Sequence, residues 1–213
     1  MKRIAALASG SGSNVQALLE AARAGALAAE IAVVVADRPS GALERAEAAG
    51  VQALCLPLRD RRDIAARGAY ERRLADALEP FAPDLIVLAG WMLVLSPVFL
   101  DRFPGRIINL HPALLPDGDE DAVETSHGPQ PAFRGARAVR DVLRAGMPVT
   151  GATVHWVTPR CDVGPAIARE EVLVRSEDDE AALHARIKAI EHRLLPRAVA
   201  LALEQIDERV SAR

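Results

Sequence analysis

Short apolar runs alternate with amphipathic helical stretches along most of this chain, and that rhythm restricts the fold more than any other feature. Ile4–Ala8 reads as a strand and Asn14–Arg23 as a helix. Glu30–Ala36 and Val51–Leu56 read as strands, with a helix over Ala42–Ala49 between them. A helix over Ala66–Leu78, a buried strand over Asp84–Ala89, a short helix over Pro97–Phe103 and a strand over Ile107–Leu110 continue the pattern. After a polar loop come a helix over Ala136–Ala145, two alternating strands, Thr150–Val157 and Ala166–Val174, and a long closing helix over Glu177–Glu204. Strands joined by helices need right-handed crossovers, and therefore a mostly parallel twisted sheet with flanking helices. The two late strands have no helix between them and are expected to form an antiparallel edge. No repeat or linker divides the 213 residues, so one α/β domain, 1–213, is expected.

In such open sheets ligands bind beyond the carboxyl ends of the strands. Three groups of residues fall there. Ser9-Gly10-Ser11-Gly12-Ser13-Asn14 joins the first strand to the first helix. Its glycines allow close backbone approach, and the helix start offers free N–H groups to an anion. A dinucleotide fingerprint, with Asp37 on the ribose, fails because Val15 stands where a third small residue belongs. A mononucleotide-sized phosphate fits the loop better. The plainer reading is a tight turn capped by Ser13 or Asn14.

Asn109-Leu110-His111-Pro112 ends an apolar strand, and Asp162-Val163-Gly164-Pro165 follows another apolar stretch. An amide can donate to a developing oxyanion, an imidazole can donate or shuttle a proton, and a carboxylate can hold the imidazole or collect a proton through water. Taken alone, the Asn-x-His-Pro tetrapeptide also suits an ordinary strand-end turn.

Composition narrows the possibilities. A net charge of −3 gives no basic surface for nucleic acid. There are 24 Arg but only two lysines, Lys2 and Lys188, a bias of composition rather than of function. Cys55 and Cys161 have neither metal nor redox spacing, which suits a reducing cytoplasm. The longest apolar stretch, Leu85 to Leu100, is broken by Gly90, Ser96 and Pro97 and is too short to span a membrane. The apolar start is likewise too short for a signal peptide.

Together, Ser-Gly-x-Gly-Ser-Asn, Leu-Ala-Gly-Trp-Met, Asn-Leu-His-Pro-Ala-Leu-Leu-Pro, Gly-Ala-Thr-Val-His and Asp-x-Gly-Pro, in this order and from Ile4 to about Leu201, resemble the folate-dependent phosphoribosylglycinamide formyltransferases of purine synthesis. The resemblance implies a Rossmann-like formyltransferase fold, with a phosphate-binding half (1–105) and a catalytic and folate-binding half (106–213). It implies small-molecule substrates, glycinamide ribonucleotide and 10-formyltetrahydrofolate, without metal, membrane or nucleic acid, in a cytoplasmic monomer or homodimer. Asn109, His111 and Asp162 match the catalytic trio. Gly12, Ser13 and Asn14 match the phosphate loop, and Lys188 and Glu191 match positions on the ribonucleotide. Spacing alone would also fit a solvated ion pair for these last two. Arg67 matches an arginine associated with anionic ligand groups, and Met92, Leu93, Val94 and Leu95 lie along the folate wall. His155 matches a histidine near the site, and a satisfied core histidine accounts for it equally well.

Three departures stand out. Leu93 replaces a usual arginine, Arg134-Gly135-Ala136-Arg137 replaces a usual Pro-Gly-x-His, and Asp117–Pro131 is an acidic insertion after His111. A solvated, mobile excursion is the expected form of that insertion. The sharper reading is a lid over the folate site, with Arg134 and Arg137 compensating for the lost basic groups. The same trio resembles that of formyltetrahydrofolate hydrolase, and a non-catalytic folate or nucleotide binder is the further alternative.

Overall fold

The computed structural model describes residues 1–58 and 63–211. In chain order the elements are β1 (Lys2–Ala8), α1 (Ser13–Arg23), β2 (Ala29–Ala36), α2 (Gly41–Ala48), β3 (Gln52–Cys55), α3 (Ile64–Leu78), β4 (Leu85–Leu88), α4 (Pro97–Leu100) and β5 (Ile107–His111). A two-stranded hairpin follows, β6 (Ala122–Val123) and β7 (Gln130–Pro131), then α5 (Ala138–Arg144), β8 (Val149–Trp156), β9 (Ala166–Leu173) and α6 (Glu180–Ser211). Seven strands form one sheet in the order β3-β2-β1-β4-β5-β8-β9. The first five are parallel, and β8 and β9 pair antiparallel at one edge. The strand pattern read from the sequence is therefore present throughout, with only the end residues of some elements shifted.

Alternation within the strands divides the core in two. Ile4, Ala6, Val34, Val87 and Ile108 face Leu18 of α1, Val142 of α5 and Leu183, Leu194 and Val199 of α6. The intervening residues Ala5, Leu7, Val35, Ile86 and Ile107 face Tyr70, Leu74 and Leu78 of α3 and Phe99 of α4. Burial on both sides explains why these strands read as unbroken apolar runs. α6 outlasts its expected end at Glu204 because its last turns find partners on the sheet. The Trp156 indole N–H donates to Gln205 Oε1 at 3.0 Å, and the Arg209 guanidinium lies 4.8 Å from the Trp156 ring centre. No helix among the described residues is long and apolar enough to cross a membrane.

The chain runs outward from β1 through β2 to β3, then returns to β1's other side with β4. The loops after β1 and β4 therefore diverge at a switch point, where a crevice forms. They are tied together there: Ser9 N donates to Gly90 O at 3.0 Å and Met92 N to Ser9 Oγ at 3.1 Å.

The insertion is largely exposed, as expected of a solvated excursion, but it also contains the hairpin β6–β7 and is laced to the sheet edge at particular residues. Asp117 pairs with Arg169 at 2.7 Å and accepts from Ala166 N, and Ser126 is bonded to Glu171. The sequence offered no sign of this, since two-residue strands carry no measurable periodicity.

Candidate active site

A cavity of about 480 Å³ opens at the switch point and brings together residues from the whole length of the chain. Among the predicted positions, Gly12, Ser13, Asn14, Met92, Leu93, Val94, Leu95, Asn109, His111, Asp162, Lys188 and Glu191 all line it.

One end is built from backbone. Gly12 precedes α1 with φ of 75°, and a Cβ there would lie 2.4 Å from Ala42 Cα, so only glycine lets the loop press against α2. No side chain caps α1. The reading of a turn capped by Ser13 or Asn14 is thus incorrect, and the reason is visible. Asn14 Nδ2 instead donates to Glu191 Oε2 at 2.9 Å, across to α6, leaving Asn14 Oδ1 buried without a protein partner. The N–H groups of the first helical turn consequently remain open toward an anion. Glu191 is only 4% exposed, which corrects the solvated ion-pair reading for that residue. Burial pushes its carboxyl above the usual range, against the opposing Asn14 hydrogen bond and the Lys188 charge. His184, one turn before Lys188 on α6, also lines the cavity and was missed, although its i, i+4 spacing was legible.

The middle wall is apolar. Met92 and Val94 are more than half exposed toward it, and Leu95 is buried beneath. Trp91, also missed, is buried in the same wall with its indole N–H unpartnered. α3 fixes this loop from below: the Glu71 carboxylate accepts from Ser96 N at 3.2 Å and from Ser96 Oγ. Arg67 stands apart from the main cavity. Its Nη2 donates to Val94 O at 2.8 Å, so it buttresses the wall where an anion-binding role was expected.

The other end is built from side chains. Asn109 and His155 are direct cross-strand partners on β5 and β8, and His111 lies two residues beyond Asn109 on the same face. Asp162 reaches them from the β8–β9 loop with φ of 54°, a left-handed conformation uncommon outside glycine. Its Oδ1 accepts from Asn109 Nδ2 at 3.3 Å and lies 3.5 Å from His155 Nε2. Its Oδ2 accepts from Gly135 N at 2.8 Å, lies 3.4 Å from His111 Nδ1 and takes the Cys161 thiol at 3.4 Å. Burial alone would raise the Asp162 carboxyl. The His155 contact, the His111 charge and the Gly135 N–H outweigh it and hold the group far below the usual carboxylate range. It is ionised at neutral pH. His111 Nε2 lies 2.8 Å from the Phe133 carbonyl, so that nitrogen carries a proton. Burial lowers the His111 pKa, with Asp162 and Phe133 O resisting. His155 faces Trp156 O through Nδ1 at 3.0 Å and Asn109 Nδ2 through Nε2 at 3.2 Å. It is both a satisfied histidine and part of the site. Burial, the Asp162 charge and the Asp162 hydrogen bond push the Cys161 thiol up to about 11, so it stays protonated.

The two arginines of the departures separate. Arg137 lines the cavity. Arg134 does not, because its guanidinium is spent on backbone carbonyls of the insertion and of Asp162. Among the described residues no group of three or more His, Cys, Asp or Glu is arranged to hold a metal ion.

An uncapped helix start, an apolar wall and a carboxylate–imidazole–amide cluster meet at one mixed sheet, an arrangement suited to group transfer, and the chain belongs to the formyl transferase family, whose model matches residues 2–199. Its relatives within that family include phosphoribosylglycinamide formyltransferases. The Mycobacterium tuberculosis protein of that name is 42% identical over 93% of this chain and 83% of its own length. The Escherichia coli protein is 34% identical over 91% of this chain and 83% of its own length. The crystal structure of glycinamide ribonucleotide transformylase 1 from Symbiobacterium toebii superposes with a TM-score of 0.84 at 39% identity, covering 96% of this chain and 89% of that one.

Proposed function

We propose that this chain transfers the formyl group of 10-formyltetrahydrofolate to the amine of 5'-phosphoribosylglycinamide, a cytoplasmic step of purine synthesis. The observation that carries the reading is the convergence of Asn109, His111 and Asp162 between an anion-binding loop and an apolar wall in one cavity. The phosphate would sit on the Gly12–Asn14 backbone with Lys188 adding charge, and Glu191 would accept from the ribose hydroxyls. The folate ring system would lie along Met92–Leu95. The two proposed halves of the domain would then share the work, since the folate wall lies in 1–105 and Glu191 in 106–213.

In the reaction the amine nitrogen attacks the formyl carbon, forming a C–N bond and a tetrahedral oxyanion. The Asn109 amide is the donor placed to meet that oxyanion. Its 3.3 Å contact with Asp162 is long enough to be exchanged for a shorter bond to developing negative charge. The His111 ring has both nitrogens engaged, at Phe133 O and Asp162. When protonated it therefore stabilises the oxyanion as a neighbouring charge, or by giving up the carbonyl. Asp162, ionised and central, takes the amine proton through water. Collapse breaks the bond from the formyl carbon to the folate N10, which receives a proton, and releases formylglycinamide ribonucleotide and tetrahydrofolate.

The test is absorbance-monitored deformylation of a 10-formylfolate by the purified chain, with and without the ribonucleotide. Turnover that needs both substrates supports the reading. Deformylation without the ribonucleotide would identify a hydrolase, and absence of turnover by folded protein would rule out formyl transfer from this donor.

A further inference from the structure

Asp162 faces charged and polar groups from every side, and all but one group have an evident electrostatic role. Asn109 and His111 approach from β5, His155 from β8, and the Gly135 N–H and Cys161 thiol from the flanking loops. The remaining contact is to its backbone. Arg134 Nε donates to Asp162 O at 3.1 Å, while Nη2 of the same guanidinium donates to Gly118 O at 3.3 Å and Glu120 O at 2.7 Å. One planar fork thus spans the insertion and the catalytic loop. A second tie lies two residues before Asp162, where Arg160 pairs with Asp119 of the insertion at 2.5 Å. That pair is largely exposed and contributes little by itself. A non-glycine residue held at positive φ costs on the order of 1–3 kcal/mol and persists only when its surroundings fix it.

We propose that Arg134 is a positioning residue for Asp162, holding its left-handed backbone against fixed carbonyls supplied by the 117–131 insertion. Under the formyl-transfer reading, on which the kinetic part of this inference rests, the insertion acts as a brace for the proton acceptor. The next residue completes the device, since Gly135 follows Arg134 directly and its N–H orients the Asp162 carboxylate. Lysine cannot substitute, because an ammonium lacks the rigid fork that reaches three carbonyls at once.

The experiment compares the full chain with Arg134→Met and Arg134→Lys, each alone and in an Asp162→Asn background. Arg134→Met should lower kcat roughly tenfold to a hundredfold, the scale of a small misplacement of a reacting group. KM for both substrates should stay within about threefold, because the ribonucleotide and folate walls are untouched. Arg134→Lys should recover only part of the loss. In the Asp162→Asn background Arg134→Met should cost less than about twofold more, since residues acting through one another are not additive. Withdrawal of Asp162 from Gly135 N–H should move the acid limb of the kcat profile upward. In Arg134→Lys, which keeps the cationic charge that itself lowers the His111 pKa, NMR titration of the His111 ring should shift downward, as the carboxylate that supports its charge recedes. Equal losses in both backgrounds, or an unshifted His111 titration, would overturn the inference. If the wild-type chain shows no formyl transfer, the proposed function fails while the His111 titration still decides the role of Arg134. If Arg134→Met does not fold, Arg134→Lys carries the same comparisons.

Discussion

The two ends of the cavity are made in different ways. At the Gly12 end, neighbours in sequence do most of the work: Gly12, Ser13 and Asn14 form a strand-to-helix turn, pressed against α2 and tied to α6 through Asn14 and Glu191. At the catalytic end almost nothing is local. Asn109, the Phe133–Gly135 loop, His155 and Asp162 come from four segments and meet only because β5 and β8 pair in one register and two loops fold over them. A site of backbone groups tolerates changes in side chains but not in conformation, and a site of side chains does the reverse. Mutations should therefore separate binding from chemistry.

The largest effect is expected at the side-chain end. Asn109→Ala should lower kcat on the order of a hundredfold or more, the usual cost of an oxyanion donor, with little change in either KM. A comparable rise in KM instead would break the distinction. At the backbone end, Gly12→Ala brings a methyl within 2.4 Å of Ala42 Cα. It should raise the ribonucleotide KM about tenfold while costing about 1–3 kcal/mol of stability by overpacking, read from the denaturant midpoint. The variant should keep most of its kcat at saturating substrate.

Glu191→Gln probes the Asn14–Glu191 hydrogen bond between α1 and α6. Burial raises the carboxyl's pKa in the folded state, so its charge opposes folding above that pKa. The variant should weaken ribonucleotide binding yet melt at higher temperature near neutral pH. The advantage should disappear below about pH 4, where the carboxyl is protonated in both states. The smallest effect expected is a pH slope. His111 has a lowered pKa in the folded state, so the unfolded chain binds more protons there and stability must fall as pH drops below about 6.5. The melting temperature should decline between neutral pH and mild acid, and His111→Gln should flatten that slope.

The same contrast explains what the sequence disclosed. The central strands were legible because both faces are buried and the apolar runs are continuous, and the late strands because their residues alternate. The loop at Gly12 was legible because its chemistry is contiguous. Asn109, His111 and Asp162 were legible as chemistry-bearing residues at strand ends and as matches to a family motif. Their partners were not. Phe133 contributes a carbonyl and Gly135 an N–H, groups every residue has, and Trp91 enters as an apolar wall residue with an unpaired N–H. Arg134 and Arg67 were read as cations serving anionic ligands; Arg134 gives its donors to carbonyl oxygens of the chain, and Arg67 gives Nη2 to Val94 O. Charge is visible in a sequence, but the geometry that diverts it to backbone is not.

The scarcity of lysine gives the cavity a chemical address. Lys2 is held by Asp207 and Asp84, and the hydrogen bond it donates to Asp207 raises its pKa and dulls it as a nucleophile. Lys188 is the other lysine, and it lines the cavity. An acylating label would also take the exposed N-terminal amine, but its uptake at Lys188 would report on this one chamber, falling as the chamber fills. A lysine-directed protease would cut after Lys188 only where it is unlabelled, so the labelled fraction would persist as an uncut peptide and occupancy could be weighed directly by mass.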